Sequence, residues 1–153
     1  MKTMTDFFQF EADFVDSLRC IPMQVRYKLD SCGIKLKLHQ WSKFTESDRR
    51  QLVELPCQTT ENIQNYREYL QQLVQKRAGE IAKDLPVEDN PDWENSTTIP
   101  DSVAKKADET GVSFNLENWQ TLTAIQRFVL IKLSRSNHEN RNFLPALKEF
   151  QVV

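Results

Sequence analysis

A passage of this chain recurs 78 positions further on without a gap: IPMQVRYKLDSCGIKLKLHQWSKFTESDRRQL at 21–52 and IPDSVAKKADETGVSFNLENWQTLTAIQRFVL at 99–130. The identical positions are Ile21/Ile99, Pro22/Pro100, Val25/Val103, Lys28/Lys106, Asp30/Asp108, Gly33/Gly111, Leu38/Leu116, Trp41/Trp119, Thr45/Thr123, Arg49/Arg127 and Leu52/Leu130. That is eleven of 32, where unrelated sequences would share about two. Ile34/Val112, Leu36/Phe114 and Phe44/Leu122 are conservative pairs, and Glu61-Asn62 meets Glu139-Asn140 in the same register, so the copies extend over 21–62 and 99–140. An internal duplication constrains the chain to two related halves. Residues shared by the copies are expected to be scaffold, and unshared ones to be specific to each half.

The repeated pattern is helical. Pro22 and Pro100 suit the first position of a helix, where a missing N–H costs nothing. Val25, Leu29 and Cys32, then Val103 and Ala107, follow at helical spacing, and Gly33 and Gly111 stop each helix. Ile34–Leu38 and Val112–Leu116 alternate over a span too short to promise a sheet. In L-x-x-W-x-x-(F/L)-T-x-x-x-R-x-x-L, three apolar residues at intervals of three share one helical face. The threonine reads as an N-cap, opening a helix from about 46 to Leu55 before Pro56, and a more apolar, central one from 124 to about Ser134.

Outside the repeat, Thr60 is expected to cap a long helix ending at Gly79, with Ile63, Tyr66, Leu70, Leu73 and Val74 as its apolar stripe. Residues 80–98, acidic and carrying Pro86 and Pro91, read as a connecting segment fixed by Trp93. Phe7, Phe10, Phe14 and Leu18 mark an N-terminal helical face, and NFLPALKEF a last short helix. The expected fold is all-α: one compact domain over 1–153, of about seven to eight helices, its halves related by a pseudo-twofold.

Hydrophobic residues make up 39% of 153, enough for a packed interior. A net charge of −2 speaks against a nucleic-acid binder, which carries a basic excess. No apolar run nears the ~20 residues of a membrane span, and the acidic N-terminus MKTMTDFFQFEADF lacks a signal peptide's apolar stretch. A soluble, cytoplasmic protein is expected. Cys20, Cys32 and Cys57 have no CxxC spacing, and their counterparts are Thr98, Thr110 and Arg135, so free buried thiols are the simplest expectation.

No residue set announces catalysis: there is no His-Glu-x-x-His, no phosphate loop and no marked nucleophile. Trp41 and Trp119 are expected as core anchors. Arg49 and Arg127 are expected over those rings or on a helix C-terminus in the opposite half. The polar stretch Ser134–Phe143 stands apart, and two roles compete for it. Asn137, Asn140 or Asn142 caps the last helix, or Arg135, His138, Glu139, Asn140 and Asn142 form a partner-binding surface.

Residues 7–44 and 116–150 carry the wording RCIPM, RF-x-LIKLSR and HEN-x-NFLPAL. In these the chain closely resembles the nitrate reductase-associated protein family. The resemblance implies a small soluble accessory protein of the molybdenum-dependent assimilatory nitrate reductase, found in nitrate-assimilating photosynthetic prokaryotes, with no catalytic residue and no cofactor of its own. The expected function is therefore accessory or maturation work through binding of nitrate reductase. The alternative is a redox, metal or iron–sulfur carrier using Cys20, Cys32 and Cys57. A small enzyme and a DNA-binding regulator are weaker, lacking a catalytic constellation and a basic recognition helix.

Overall fold

The computed structural model describes residues 20–135 and 142–152. Among them are eight α-helices: α1 Met23–Cys32, α2 Leu38–Ser42, α3 Glu46–Glu54, α4 Thr60–Ala78, α5 Asp101–Glu109, α6 Leu116–Thr121, α7 Ala124–Arg135 and α8 Phe143–Glu149. Two short strands, β1 Ile34–Lys35 and β2 Lys83–Asp84, complete a mostly helical fold. The expected N-terminal helical face at 7–18 lies outside the described residues. The chain divides into two compact units, Met1–Val87 and Glu88–Val153, with the division inside the acidic stretch 80–98.

Helix ends follow local chemistry. Pro22 and Pro100 stand one residue before their helices, at the N-cap rather than the first helical position. Four starts are reciprocal capping boxes, in which a cap side chain takes a free N–H and the third helical residue returns the bond. These are Thr45/Asp48, Thr59/Asn62, Asn115/Asn118 and Thr123/Gln126. The cap of α4 is thus Thr59, not Thr60. Two adjacent threonines offer two caps, and Asn62 sits three residues after the first, where it can bond back to the Thr59 N–H at 2.8 Å. Gly33 closes α1 in the left-handed region at φ 75°, and Gly111 takes φ 76° beyond α5.

In the first unit α4 packs on α1, α2 and α3. Its core includes Val25, Leu29, Ile34, Trp41, Leu52, Tyr66, Leu70 and Val74. Ile34 and Lys35 pair antiparallel with Asp84 and Lys83. Nothing in the sequence marks β2, which is two charged residues held by side chains of α4. Gln71 bonds both the N–H and the carbonyl of Ala82, at 3.1 and 3.0 Å. Arg67 bonds the Cys32 and Gly33 carbonyls at 3.0 and 2.9 Å and pairs with Asp84.

In the second unit α7 is the central element, contacting α5, α8 and a 3₁₀ turn at Asp92–Glu94. Phe128, Val129, Leu130, Ile131 and Leu133 are all buried. Trp93 stacks edge-on against Phe128 with ring centroids 5.1 Å apart, which fixes the connecting segment within this unit.

Candidate functional site

The polar stretch after α7 is described at its two ends. Arg135, the last residue of α7, is exposed and pairs with Asp92 at 3.5 Å. Asn142 occupies the N-cap position of α8 but makes no side-chain capping bond. Its backbone is the reason: at φ −86° and ψ −3° it is already turned into the helical region, whereas a capping side chain folds back from an extended residue. Of the three asparagines expected as caps for the last helix, Asn142 therefore does not serve. Asn137, His138, Glu139 and Asn140 lie outside the described residues.

The recurrent tryptophan and arginine form the same arrangement in each unit. Trp41 and Trp119 are fully buried. Arg49 Nε donates to Trp41 O at 3.3 Å and Nη2 to Ser42 O at 3.2 Å, with the guanidinium 5.8 Å from the Trp41 ring centre. Arg127 Nε donates to Trp119 O at 3.1 Å and Nη2 to Gln120 O at 3.3 Å, at 5.9 Å from its ring. Each arginine satisfies terminal carbonyls of the short helix before it, within its own unit rather than across to the opposite half. Arg127 adds a third bond, Nη1 to Trp93 O at 3.1 Å. The indole N–H of Trp119 donates to Asn95 O at 2.7 Å. The second unit therefore uses the shared pair to hold its connecting segment as well.

The leucine of the same pattern behaves differently. Leu38 and Leu116 are 61% and 40% exposed, although Trp41, Phe44, Trp119 and Leu122 are buried. Each leucine opens a helix of only five or six residues, too short to hold positions 38, 41 and 44 on one face. The expected apolar stripe loses its first member in both passages.

A polar cluster inside the first unit went unnoticed in the sequence. Lys28 is only 7% exposed, and its Nζ donates to Val53 O at 2.5 Å and Leu55 O at 2.7 Å. Tyr66 donates its hydroxyl to Leu52 O at 2.7 Å, and Lys28 Nζ sits 5.7 Å from the Tyr66 ring centre. Together they satisfy carbonyls at the end of α3 that have no partner in their own helix. Burial lowers the Lys28 pKa and raises that of Tyr66 well above its ordinary value. Beside them are Cys57 and Cys32, with Sγ atoms 3.7 Å from Lys28 O and Leu29 O respectively. The available signal was spacing: Lys28 falls inside the apolar stripe Val25, Leu29, Cys32, where a charge needs an internal partner.

A family model described as conserved nitrate reductase-associated protein matches residues 7–150. The chain belongs to this family. Neither a curated protein nor a solved structure matches it. Both Trp–Arg pairs, all three cysteines and the 135–142 segment fall inside the matched span. Among its described residues, no three or more metal-ligating side chains converge, and no helix is long and apolar enough to cross a membrane. The family's description ties it to nitrate reductase by association.

Proposed function

We propose that this chain is a non-catalytic accessory or maturation factor of the molybdenum-dependent assimilatory nitrate reductase, acting in the cytoplasm by binding the enzyme. The observation that carries this reading is the family match over residues 7–150. Side-chain chemistry agrees with it. The shared arginines spend their donors on backbone carbonyls, and the buried lysine does the same. Such groups are scaffold, leaving surface contacts as the route to an effect on another protein. The segment from Arg135 through His138, Glu139 and Asn140 to Asn142 is the contact surface we assign, since its counterpart at 57–64 shares only Glu-Asn with it. A metal or cluster carrier is less well supported, because Cys32 and Cys57 are buried and a cluster takes about four ligands.

The test is to produce nitrate reductase without this chain, add the purified chain, and measure nitrate reduction. A prompt rise in activity is expected of a subunit or activator. A rise only when the two are produced together marks a maturation role, and no effect in either format refutes the proposal. Replacing His138 and Asn140 by alanine should weaken association with the reductase while far-ultraviolet circular dichroism stays unchanged.

A further inference from the structure

Cys32 and Cys57 lie 25 positions apart in sequence and are brought together in the first unit. Their sulfurs rest against consecutive backbone carbonyls of α1, Cys57 against Lys28 O and Cys32 against Leu29 O, each at 3.7 Å. Because those two carbonyls are neighbours on one turn of α1, the two thiols face the same patch of backbone. Both residues are held from outside. Arg67 bonds the Cys32 carbonyl at 3.0 Å, and Lys28 grips Leu55 O two residues before Cys57 at 2.7 Å. The exposures are 4% and 5%, so the pair is screened from large thiol reagents but lies within reach of a small oxidant that enters as the unit fluctuates.

We propose that Cys32 and Cys57 form a reversible dithiol–disulfide pair, a redox modification site that ties the end of α1 to the α3–α4 link. The two sulfurs are electrostatically unequal. The neighbouring Cys57 thiol and the nearby charge of Arg67 hold the Cys32 thiol below its ordinary pKa against the opposing effect of burial. The same pairing and burial push Cys57 up. The Arg67 guanidinium, seated on the Cys32 carbonyl at 3.0 Å, favours Cys32 as the nucleophile and Cys57 as the resolving thiol, since the thiolate is the reactive form. With hydrogen peroxide as oxidant, the Cys32 thiolate attacks one peroxide oxygen and the O–O bond breaks. Cys32 becomes a sulfenic acid, and the departing hydroxide takes a proton to leave as water. Cys57 then attacks the sulfenic sulfur, an S–S bond forms, and a second water departs with the Cys57 proton. Two electrons leave the dithiol and peroxide is reduced to two waters. Dithiothreitol reverses the change by thiol–disulfide exchange. The matching positions in the second passage are Thr110 and Arg135, so the site is peculiar to the first unit.

The experiment treats the full chain with hydrogen peroxide, alkylates free thiols under denaturing conditions, and maps peptides by mass spectrometry without reduction. The expected product is a Cys32–Cys57 linked peptide pair two hydrogens lighter than its parts, with Cys20 alkylated and full reversal by dithiothreitol. Cys20→Ser should leave the link intact and Cys32→Ser should abolish it. Cys32 and Cys57 both remaining alkylatable, a link through Cys20, or over-oxidation without any link would overturn the proposal. Because Cys20→Ser leaves the buried pair untouched, the test stands even if the other variants fail to fold.

Discussion

At the residue scale, the two glycines of the recurrent passage separate conformational from steric demands. Gly33 and Gly111 share the left-handed backbone, yet a Cβ on Gly33 would meet Val87 Cγ2 at 2.8 Å and Leu85 O at 3.0 Å, while one on Gly111 meets nothing within 4 Å. Gly111→Ala is expected to cost only the left-handed penalty, about 1–2 kcal/mol. Gly33→Ala should cost more, because the Gly33 carbonyl also anchors Leu85 N at 2.8 Å and a shift would break that bond. Urea unfolding of the two variants checks the order, and equal losses would contradict it. The arginines differ in the same direction. Arg127 is buried and makes one backbone bond more than Arg49. Its replacement by alanine should therefore destabilise more than Arg49→Ala, by roughly 1.5–3 kcal/mol for the additional charged hydrogen bond. Lysine should rescue neither, since a single ammonium cannot reproduce the guanidinium fork.

Elements show what sequence alone exposes and what it hides. Trp–Arg spacing, helix-stopping glycines and two of the four capping residues, Thr45 and Thr123, are local patterns, and local patterns were legible. The exposed Leu38 and Leu116 were misjudged because periodicity says nothing of where a short helix ends. Strand β2, the buried position of Lys28 and the meeting of Cys32 with Cys57 depend on contacts between distant segments, which no window of sequence contains. One difference between matching caps has a measurable consequence. Asp48 closes the Thr45 box and receives Arg77 Nε at 2.8 Å; its counterpart in the Thr123 box is the neutral Gln126. Burial of Asp48 opposes its ionisation, but hydrogen bonds from Arg77 and Thr45 prevail and its pKa falls below the ordinary carboxylate value. A carboxyl depressed on folding contributes stability above its unfolded pKa, near 4, and loses it as pH drops through the folded value. Asp48→Asn should therefore lower the melting temperature at pH 7 and flatten its decline below pH 4. A decline as steep as the parent's would remove Asp48 from the account.

For the whole molecule, the division between Val87 and Glu88 falls in a stretch without regular structure, where Val87, Glu88, Asp89 and Asn90 are all exposed. Chain of that kind is where proteases enter. Brief digestion with a glutamate-specific protease should cut after Glu88 before it cuts within any described helix, and intact mass should then give two fragments. First cuts inside α4, after Glu61 or Glu68, would count against two separately compact units. Lys28 gives the first of these units an internal reporter. Its amine, locked on two carbonyls of the interior, is out of reach of acylating reagents until that unit opens, whereas its counterpart Lys106 lies partly at the surface beside Glu109. The rate at which Lys28 becomes acylated, set against Lys106 in the same tube, thus times the opening of one half of the molecule without a dye or an engineered probe.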